Sequence, residues 1–378
     1  MVARSCHLTF STQEGDAPRS ATYSVLWAGN AGTDTNVISL GEILRLNSSK
    51  YRSMYIEWLR ELASSGEHEE CSAELIDADG DLPWWTKVAT QYSFGQSSVA
   101  ADVVRLWAFC DWLRDQQVEQ LSVRNMPGYL VRTLELWCAN EGIEFHSTKR
   151  IRGRRPRCNR FKAASYLALH LIQYGGRKQP KRHPADVIVV DYLVGDILNA
   201  DTSSPYKSIY WQDTVRLIES SSQSVRWMHI DMFTALGRGL RWRLRAVKRV
   251  NELSSVHVSH EVLQSWLSLP LAWRTWLRFS RLRRLAARFR ERDWWHQESG
   301  LDLSAVVQGA LTNEVSGIPG VKSALFFELF DKAFDQDSVD TTLVYLMENQ
   351  DWELTLLQAR RKHACFSNFG YVHVCIRP

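Results

Sequence analysis

The run at 186–194 reads Asp-Val-Ile-Val-Val-Asp-Tyr-Leu-Val and is almost continuously apolar. Such a run, rich in β-branched residues, is typical of a strand that is buried on both faces of a parallel sheet. Parallel neighbours require long crossover connections, which are usually helices. The run therefore predicts an α/β fold.

Short apolar strands alternate with helical patterns along most of the chain. Strands are predicted at 22–28, 37–40, 119–123, 143–145, 186–194, 225–230, 341–347 and 369–376. Helices are predicted at 50–63, 98–116, 127–141, 210–220, 302–312, 320–334 and 352–362, and 258–297 is predicted to be helical with a break at Pro270. This alternation predicts Rossmann-like parallel sheets with additional amphipathic helices.

The length of 378 residues favours two domains, because a single core rarely grows beyond about 250–300 residues. Residues 1–20 are polar and are expected to be disordered. An N-terminal α/β domain is predicted at 21–148, and a second α/β unit at 185–378 with a helical insertion at 258–334. The segment 149–184 contains twelve Lys or Arg and no Asp or Glu, and we expect it to connect the two domains.

The cysteine pattern and the hydropathy indicate a cytoplasmic protein. Seven Cys are scattered along the chain without a Cys-x-x-Cys pair, which favours reduced thiols. The first 20 residues lack the apolar core of a signal peptide, and no run of about 18 apolar residues predicts a membrane-spanning helix. We therefore expect contact with the inner membrane to be peripheral.

Several common catalytic motifs are missing from the sequence. It contains no Gly-x-x-x-x-Gly-Lys-Ser/Thr loop, no Gly-x-Gly-x-x-Gly, no His-Glu-x-x-His and no Gly-x-Ser-x-Gly. The 11 His are dispersed, which gives little support to a zinc site. We therefore predict no metal and no bound cofactor.

The segment 201–211 reads Asp-Thr-Ser-Ser-Pro-Tyr-Lys-Ser-Ile-Tyr-Trp and joins the buried strand to a predicted helix. Ligands of parallel sheets bind at the carboxyl ends of strands, and backbone N–H groups at such a turn can face an anion. Ser204, Tyr206 and Lys207 are therefore candidates to bind a sugar or a phosphate. An ordinary surface loop that caps a helix is the competing interpretation.

Polar side chains also follow two later strands. His229 is a candidate general base, because imidazole titrates near pH 6.5, although a histidine packed in the core fits the pattern as well. Glu348 and Glu353 are candidates for an acid–base pair, with Gln350 and Trp352 binding sugar hydroxyls. Glu353 would otherwise cap the helix that follows.

Trp84 and Trp85 form a candidate sugar platform in the first domain. They follow Pro83 and precede a turn rich in Ser. Aromatic faces beside polar residues suit a sugar ring, and packing of both side chains in the core is the competing interpretation.

The segment 266–295 combines Arg with Trp, Leu and Phe at helical spacing, as in an interfacial helix on an anionic membrane. Nucleic-acid binding would use the same charge, but no nucleic-acid motif accompanies it, so no nucleic-acid partner is predicted. A solvated basic face is a third interpretation. The arginines expected to face the membrane are Arg274, Arg278, Arg281, Arg284 and Arg288.

Four stretches of the sequence carry a family resemblance. They are Pro-Trp-Trp at 83–85 with the helix predicted after it, Ser-Pro-Tyr-Lys-Ser-Ile-Tyr-Trp at 204–211, Val-Arg-Trp-Met-His-Ile at 225–230, and Tyr-Leu-Met-Glu-Asn-Gln-Asp-Trp-Glu at 345–353. In these stretches the chain resembles a family of large bacterial surface-carbohydrate biosynthesis proteins found with O-antigen and capsule genes.

The resemblance implies a GT-B-like glycosyltransferase with two Rossmann-like halves, a nucleotide-sugar donor and a lipid-linked glycan acceptor. Family members continue well past the fourth stretch, whereas this chain ends about 25 residues later, at Pro378. We therefore expect the second unit to be incomplete and a separate polypeptide to bind the donor. A non-catalytic, membrane-associated assembly factor or an inactive fragment of such an enzyme is the alternative.

Overall fold

A computed structural model describes most of the chain. The described residues are 4–9, 22–27, 37–64, 98–148, 159–176, 185–193, 206, 208, 210–211, 214–220, 223–231, 239–289, 295–296, 299–315, 317–335, 337, 340–347, 350–363 and 367–371. They form two compact units, of which the first comprises Met1–Asn159 with Leu282–Ser316 and the second Arg160–Arg281 with Gly317–Pro378.

The first unit is built on a five-stranded parallel sheet with the order β3-β2-β1-β4-β5. Its strands are β1 Ser5–Thr9, β2 Tyr23–Leu26, β3 Val37–Ser39, β4 Gln120–Arg124 and β5 Glu144–Thr148. Its helices include α1 Leu40–Leu46, α2 Ser48–Ser64, α3 Ser98–Asp115 and α4 Gly128–Glu141. The core of this unit is aromatic and contains the buried free thiols of Cys6, Cys110 and Cys138.

The second unit is built on another five-stranded parallel sheet, with the order β12-β11-β6-β7-β8. Its strands are β6 Val187–Tyr192, β7 Val225–Ile230, β8 Val258–Val262, β11 Thr342–Leu346 and β12 Asn368–Tyr371. Its helices include α5 Asn159–Tyr174, α6 Thr214–Ser220, α7 Leu240–Leu253, α8 Leu269–Phe289, α10 Ile318–Phe334 and α11 Asp351–Lys362. Helix α8 continues past Arg281 into the residues that cluster with the first unit.

Both sheets have the same topology when their strands are counted in chain order. Each follows the order 3-2-1-4-5, which is part of the strand order of a Rossmann fold. This confirms the prediction of two Rossmann-like α/β units. The second sheet has five strands among the described residues, as the first sheet does, and the incompleteness expected of the second unit stays a prediction.

The strands predicted from apolar runs are present because burial on both faces requires such runs. Every residue of β6 and of β7 is buried. Gly142 ends α4 in the left-handed conformation with φ 72°, as expected of a helix-terminating glycine. Among the described residues, no helix combines the length and the apolar character that crossing a membrane would require.

Residues 1–20 were expected to be disordered, but Ser5–Thr9 form β1 at the centre of the first sheet. The prediction was wrong because this strand is short and Cys6, His7 and Leu8 are buried by pairing on both sides with β2 and β4. Local composition does not reveal such pairing.

The predicted helix at 258–297 is partly wrong. Residues Val258–Val262 pair with β7 as the strand β8, and a 3-10 turn at Leu263–Trp266 follows. Helix α8 begins at Leu269, so Pro270 lies in its first turn, where a missing N–H costs nothing. The spacing of the apolar residues fits either structure, and pairing with β7 decides for the strand.

The predicted domain limits differ from the observed units in two places. Helix α5 lies inside the predicted basic connection at 149–184 but belongs to the second unit. The predicted insertion at 258–334 contributes 282–316 to the first unit, including the small strands β9 Trp295–His296 and β10 Leu301–Asp302 and the helix α9 Ser304–Val315.

Candidate functional site

The topology of the second sheet marks the position of a candidate site. Ligands of open α/β sheets bind outside the carboxyl ends of the strands, where the strand order reverses. In the order 3-2-1-4-5 this reversal lies between β6 and β11. The side chains at the ends of β6, β7, β8 and β11 therefore define the candidate site.

Asp191, near the end of β6, is the central polar group of this edge. Its side chain is fully buried. One carboxylate oxygen, Oδ2, accepts hydrogen bonds from the Tyr206 hydroxyl at 2.8 Å and the Ser208 hydroxyl at 2.9 Å. The other oxygen accepts one from the Tyr192 backbone N–H at 2.7 Å. The segment at 201–211 thus supports a carboxylate that was not predicted as a site residue.

Burial changes the acidity of this carboxyl group. It raises the pKa of Asp191 from 3.8 to about 6, because the charged form loses its hydration, and the hydrogen bonds from Tyr206 and Ser208 offset only part of that cost. A carboxyl group that titrates near neutral pH at the carboxyl end of a central strand can give or take a proton.

A second buried carboxylate, Asp231, directly follows β7. Its oxygens accept hydrogen bonds from the Tyr174 hydroxyl and from Arg243 Nη1, the latter at 2.6 Å. Gln264 binds the backbone of Asp231 twice, with Oε1 at 3.0 Å from the N–H and Nε2 at 3.1 Å from the carbonyl oxygen. Burial raises the pKa of Asp231, and the hydrogen bond from Tyr174 and the charge of Arg243 oppose this rise.

His229 was predicted as a general base, and this role stays a prediction. The side chain is fully buried in β7, and its Nε2 lies 3.1 Å from Nδ1 of His260. Burial lowers the pKa of His229 to about 3, because the charged ring would lose its hydration, and so favours the neutral imidazole. In the sheet register His229 is the direct neighbour of Asp191.

Glu353 and Gln350 form a capping box at the start of α11. The Gln350 backbone N–H donates to Glu353 Oε1 at 2.8 Å, and the Glu353 carboxylate is buried. This is the capping alternative that the sequence left open, and the catalytic role of Glu353 stays a prediction. Asp351 and Glu353 place two acids in the first turn, so an anionic phosphate is not favoured at this helix start.

Trp352 was predicted to bind substrate, but it is 1% exposed and offers no face to a sugar ring. Its indole N–H donates to the Tyr192 hydroxyl at 2.7 Å, and its ring packs edge-on against Tyr192 and tilted against Phe330. The apolar face of α11 buries this side chain against the sheet. Trp352 therefore joins α11 to the end of β6.

The predicted membrane-facing arginines of α8 do not behave alike. Arg274 Nε and Arg278 Nε each lie 3.1 Å from the carboxylate of Glu328, which is buried in α10. These two arginines therefore neutralise the buried carboxylate of Glu328. Arg281 and Arg284 are exposed, and the side chain of Arg288 lies outside the described residues.

The remaining predicted site residues cannot be compared with the structure. Trp84, Trp85, Ser204, Lys207 and Glu348 lie outside the described residues. Within the described part of the chain, no three His, Cys, Asp or Glu side chains are grouped as metal ligands.

The first unit has a similar buried carboxylate that was also missed. Asp102 of α3 accepts hydrogen bonds from the indole N–H of Trp27 at 3.1 Å and from the Tyr129 hydroxyl at 2.7 Å. Trp27 follows β2, and Tyr129 lies in the helix that follows β4. A charged residue inside an apolar pattern is the one sequence feature that could have indicated Asp102 and Asp191.

Comparison with known proteins adds little to this geometry. No family model and no curated protein matches the chain. A solved multidomain structure with adenylation, ketoreductase and pseudo Asub domains, from a keto acid-selecting NRPS module, aligns with 96% of the chain at 12% identity and a TM-score of 0.18. The chain spans about a third of that structure, 32% of its length, and so low a TM-score carries no argument about fold or function.

Replacing Glu353 by alanine is expected to lower the free energy of unfolding by about 1 kcal/mol, because the Gln350 N–H loses its acceptor. Glu353→Gln retains an acceptor oxygen and should retain most of the stability. Urea denaturation followed by circular dichroism measures both variants. Loss of sugar transfer in Glu353→Gln at unchanged stability would support the catalytic role instead.

Proposed function

We propose that the chain is a glycosyltransferase-like protein of bacterial surface-polysaccharide biosynthesis. In this proposal it takes part in sugar transfer from a nucleotide-sugar to a lipid-linked glycan of lipopolysaccharide O-antigen or capsule, at the inner face of the membrane. The two Rossmann-like sheets are compatible with such a protein, although this fold also serves many other functions.

One observation carries the proposal. Described residues from three of the four stretches that resemble the surface-carbohydrate family, at 204–211, 225–230 and 345–353, lie at or beside the carboxyl edge of the second sheet. Tyr206 of the first of these binds Asp191, His229 of the second is its sheet neighbour, and Trp352 of the third binds the adjacent Tyr192. Segments far apart in sequence thus build one polar edge at the topological switch point.

The chemistry of this edge favours hydroxyl groups over phosphates. Its buried acid Asp191 and the acidic first turn of α11 disfavour a diphosphate. In this proposal Asp191 is the base that takes the proton of the acceptor hydroxyl. We therefore assign acceptor binding to this edge.

Binding and transfer experiments test the proposal directly. The whole chain is titrated with a panel of nucleotide-sugars and with lipid-linked glycans by calorimetry, and release of nucleotide is assayed with both substrates present. Asp191→Asn is expected to reduce transfer at least tenfold, whereas the control Lys248→Gln, at an exposed position of α7, leaves it unchanged. If neither substrate class binds and no transfer occurs, the proposal is wrong.

Asp191→Asn also gives a pH-dependent prediction. Folding raises the pKa of Asp191, so the native state of the parent binds more protons than the unfolded state between pH 4 and 6. Ionisation of Asp191 above pH 6 therefore lowers the free energy of unfolding by about 3 kcal/mol. Asparagine carries no charge, so the variant should gain up to about 3 kcal/mol relative to the parent on going from pH 4 to pH 8. Urea unfolding at both pH values measures the gain, and a constant difference contradicts it.

A non-catalytic assembly factor is the second candidate. Burial of Tyr206, His229 and Trp352 favours it, because the described conformation holds these side chains in packing contacts. In that case lipid vesicles would bind the chain while nucleotide-sugars and glycans would not. Titration with lipid vesicles that carry no glycan, added to the same experiment, therefore distinguishes the two candidates.

A further inference from the structure

Helix α8 exposes an apolar stripe. Leu269, Trp273 and Leu277 are 71%, 63% and 50% exposed, and their spacing of four residues places them along one face. The other side of the same helix is already packed, because Leu271, Thr275 and Phe279 are buried. The exposed side chains are thus a second apolar face, distinct from the one that the core uses.

Helix α5 exposes a similar face. Phe161, Leu169 and Ile172 are 78%, 48% and 80% exposed and lie on one side of the helix. The two helices approach each other where the Arg160 guanidinium lies 5.6 Å from the centre of the Trp276 ring. Large exposed apolar surfaces on neighbouring helices commonly mark a contact site.

The charges on these helices identify the partner. Neither α5 nor α8 contains an Asp or a Glu, whereas both contain Arg or Lys. Glu328 of α10 neutralises part of this charge through Arg274 and Arg278. The side chains of Arg160, Lys162 and Arg281 are exposed. A face with apolar side chains, an aromatic ring and flanking cations complements the interface of an anionic bilayer.

A second copy of the chain fits this face less well. A symmetric dimer places the same surface on both subunits, so the basic helices would face each other and repel. Anionic lipid headgroups would neutralise these charges, and the apolar side chains of Leu269, Trp273 and Leu277 would contact the acyl chains.

We propose that the exposed faces of α5 and α8, defined by Leu269, Trp273, Leu277, Phe161, Leu169 and Ile172, insert into the interface of an anionic bilayer. The inference extends the proposed function, because it names the surface that would hold the chain near a lipid-linked acceptor. The inference requires only that the chain binds lipid. Lipid binding without sugar transfer would leave the inference standing and contradict the proposed function, and sugar transfer without lipid binding would do the opposite.

Flotation with lipid vesicles tests this surface. The whole chain is expected to float with vesicles of phosphatidylcholine and phosphatidylglycerol and to remain unbound with phosphatidylcholine alone. Trp273→Ser combined with Leu277→Ser should lower the partition coefficient at least tenfold. Lys162→Gln combined with Arg281→Gln should lower it about 30-fold at low salt. Leu217→Ser, at a residue of α6 that is 71% exposed, is the matched control and should change nothing.

Thermal unfolding of each variant shows whether it is folded before flotation is measured. Equal binding of the Trp273/Leu277 variant and the parent overturns the proposal, as does equal binding to neutral and anionic vesicles. Light scattering measures the oligomeric state of the parent and of the Trp273/Leu277 variant. A parent dimer that becomes a monomer in this variant would show that a second copy of the chain, and not a bilayer, occupies the face.

Discussion

Replacing Arg243 by methionine is expected to lower the free energy of unfolding by about 3–5 kcal/mol. Arg243 Nη1 lies 2.6 Å from Asp231 Oδ1, and both side chains are buried. Methionine fills a similar space but leaves the carboxylate of Asp231 without its cation. The Tyr174 hydroxyl then remains as one of its donors, and the loss of the cation raises the pKa of Asp231 further.

The matched control lies two residues along the same helix. Arg245 is exposed, so Arg245→Met should change the free energy of unfolding by no more than about 0.5 kcal/mol. Urea denaturation followed by circular dichroism measures both variants.

A double variant separates charge from packing. Asp231→Asn combined with Arg243→Met removes the uncompensated charge and should recover part of the stability lost in Arg243→Met. Equal stability of Arg243→Met and Arg245→Met would show that the ion pair at the end of β7 does not contribute.

The second large effect concerns Trp352. Trp352→Ala is expected to cost about 3–5 kcal/mol, because it leaves a cavity between α11 and the sheet. Trp352→Phe retains most of the apolar volume and loses the hydrogen bond to Tyr192, so it should cost about 1–2 kcal/mol. Urea denaturation of both variants measures the difference.

Trp273 provides the control for Trp352, because it is 63% exposed, and Trp273→Ala should cost much less stability. If Trp352 were a sugar platform instead, its replacement would weaken glycan binding while the free energy of unfolding stayed close to that of the parent. Calorimetry of glycan binding distinguishes these two results.

The fold was largely predictable because its central strands are buried on both faces. Residues 187–192 and 225–230 need apolar side chains at nearly every position, and this requirement is visible in the sequence. The strands β1 and β8 were missed because short segments with mixed composition become strands only when their neighbours pair with them.

The sequence predicted where the candidate site lies better than it predicted what each of its residues does. The segment at 201–211 was expected at a carboxyl edge, where Tyr206 and Ser208 lie, yet these side chains bind Asp191 directly. Burial decides such roles, because a polar side chain removed from water must find a partner inside the protein. Sequence spacing does not show which partner it finds.

The sequence by itself determined that this chain is an α/β protein with two Rossmann-like units, because the alternation of apolar strands and helices is a local property. Only the tertiary structure decided that Asp191 and Asp231 are buried among tyrosines, that Trp352 and Glu353 hold α11 in place, and that Arg274 and Arg278 share Glu328. The physical reason is that these contacts join residues far apart in the chain, and their energies depend on distances and burial that arise only when the strands have paired.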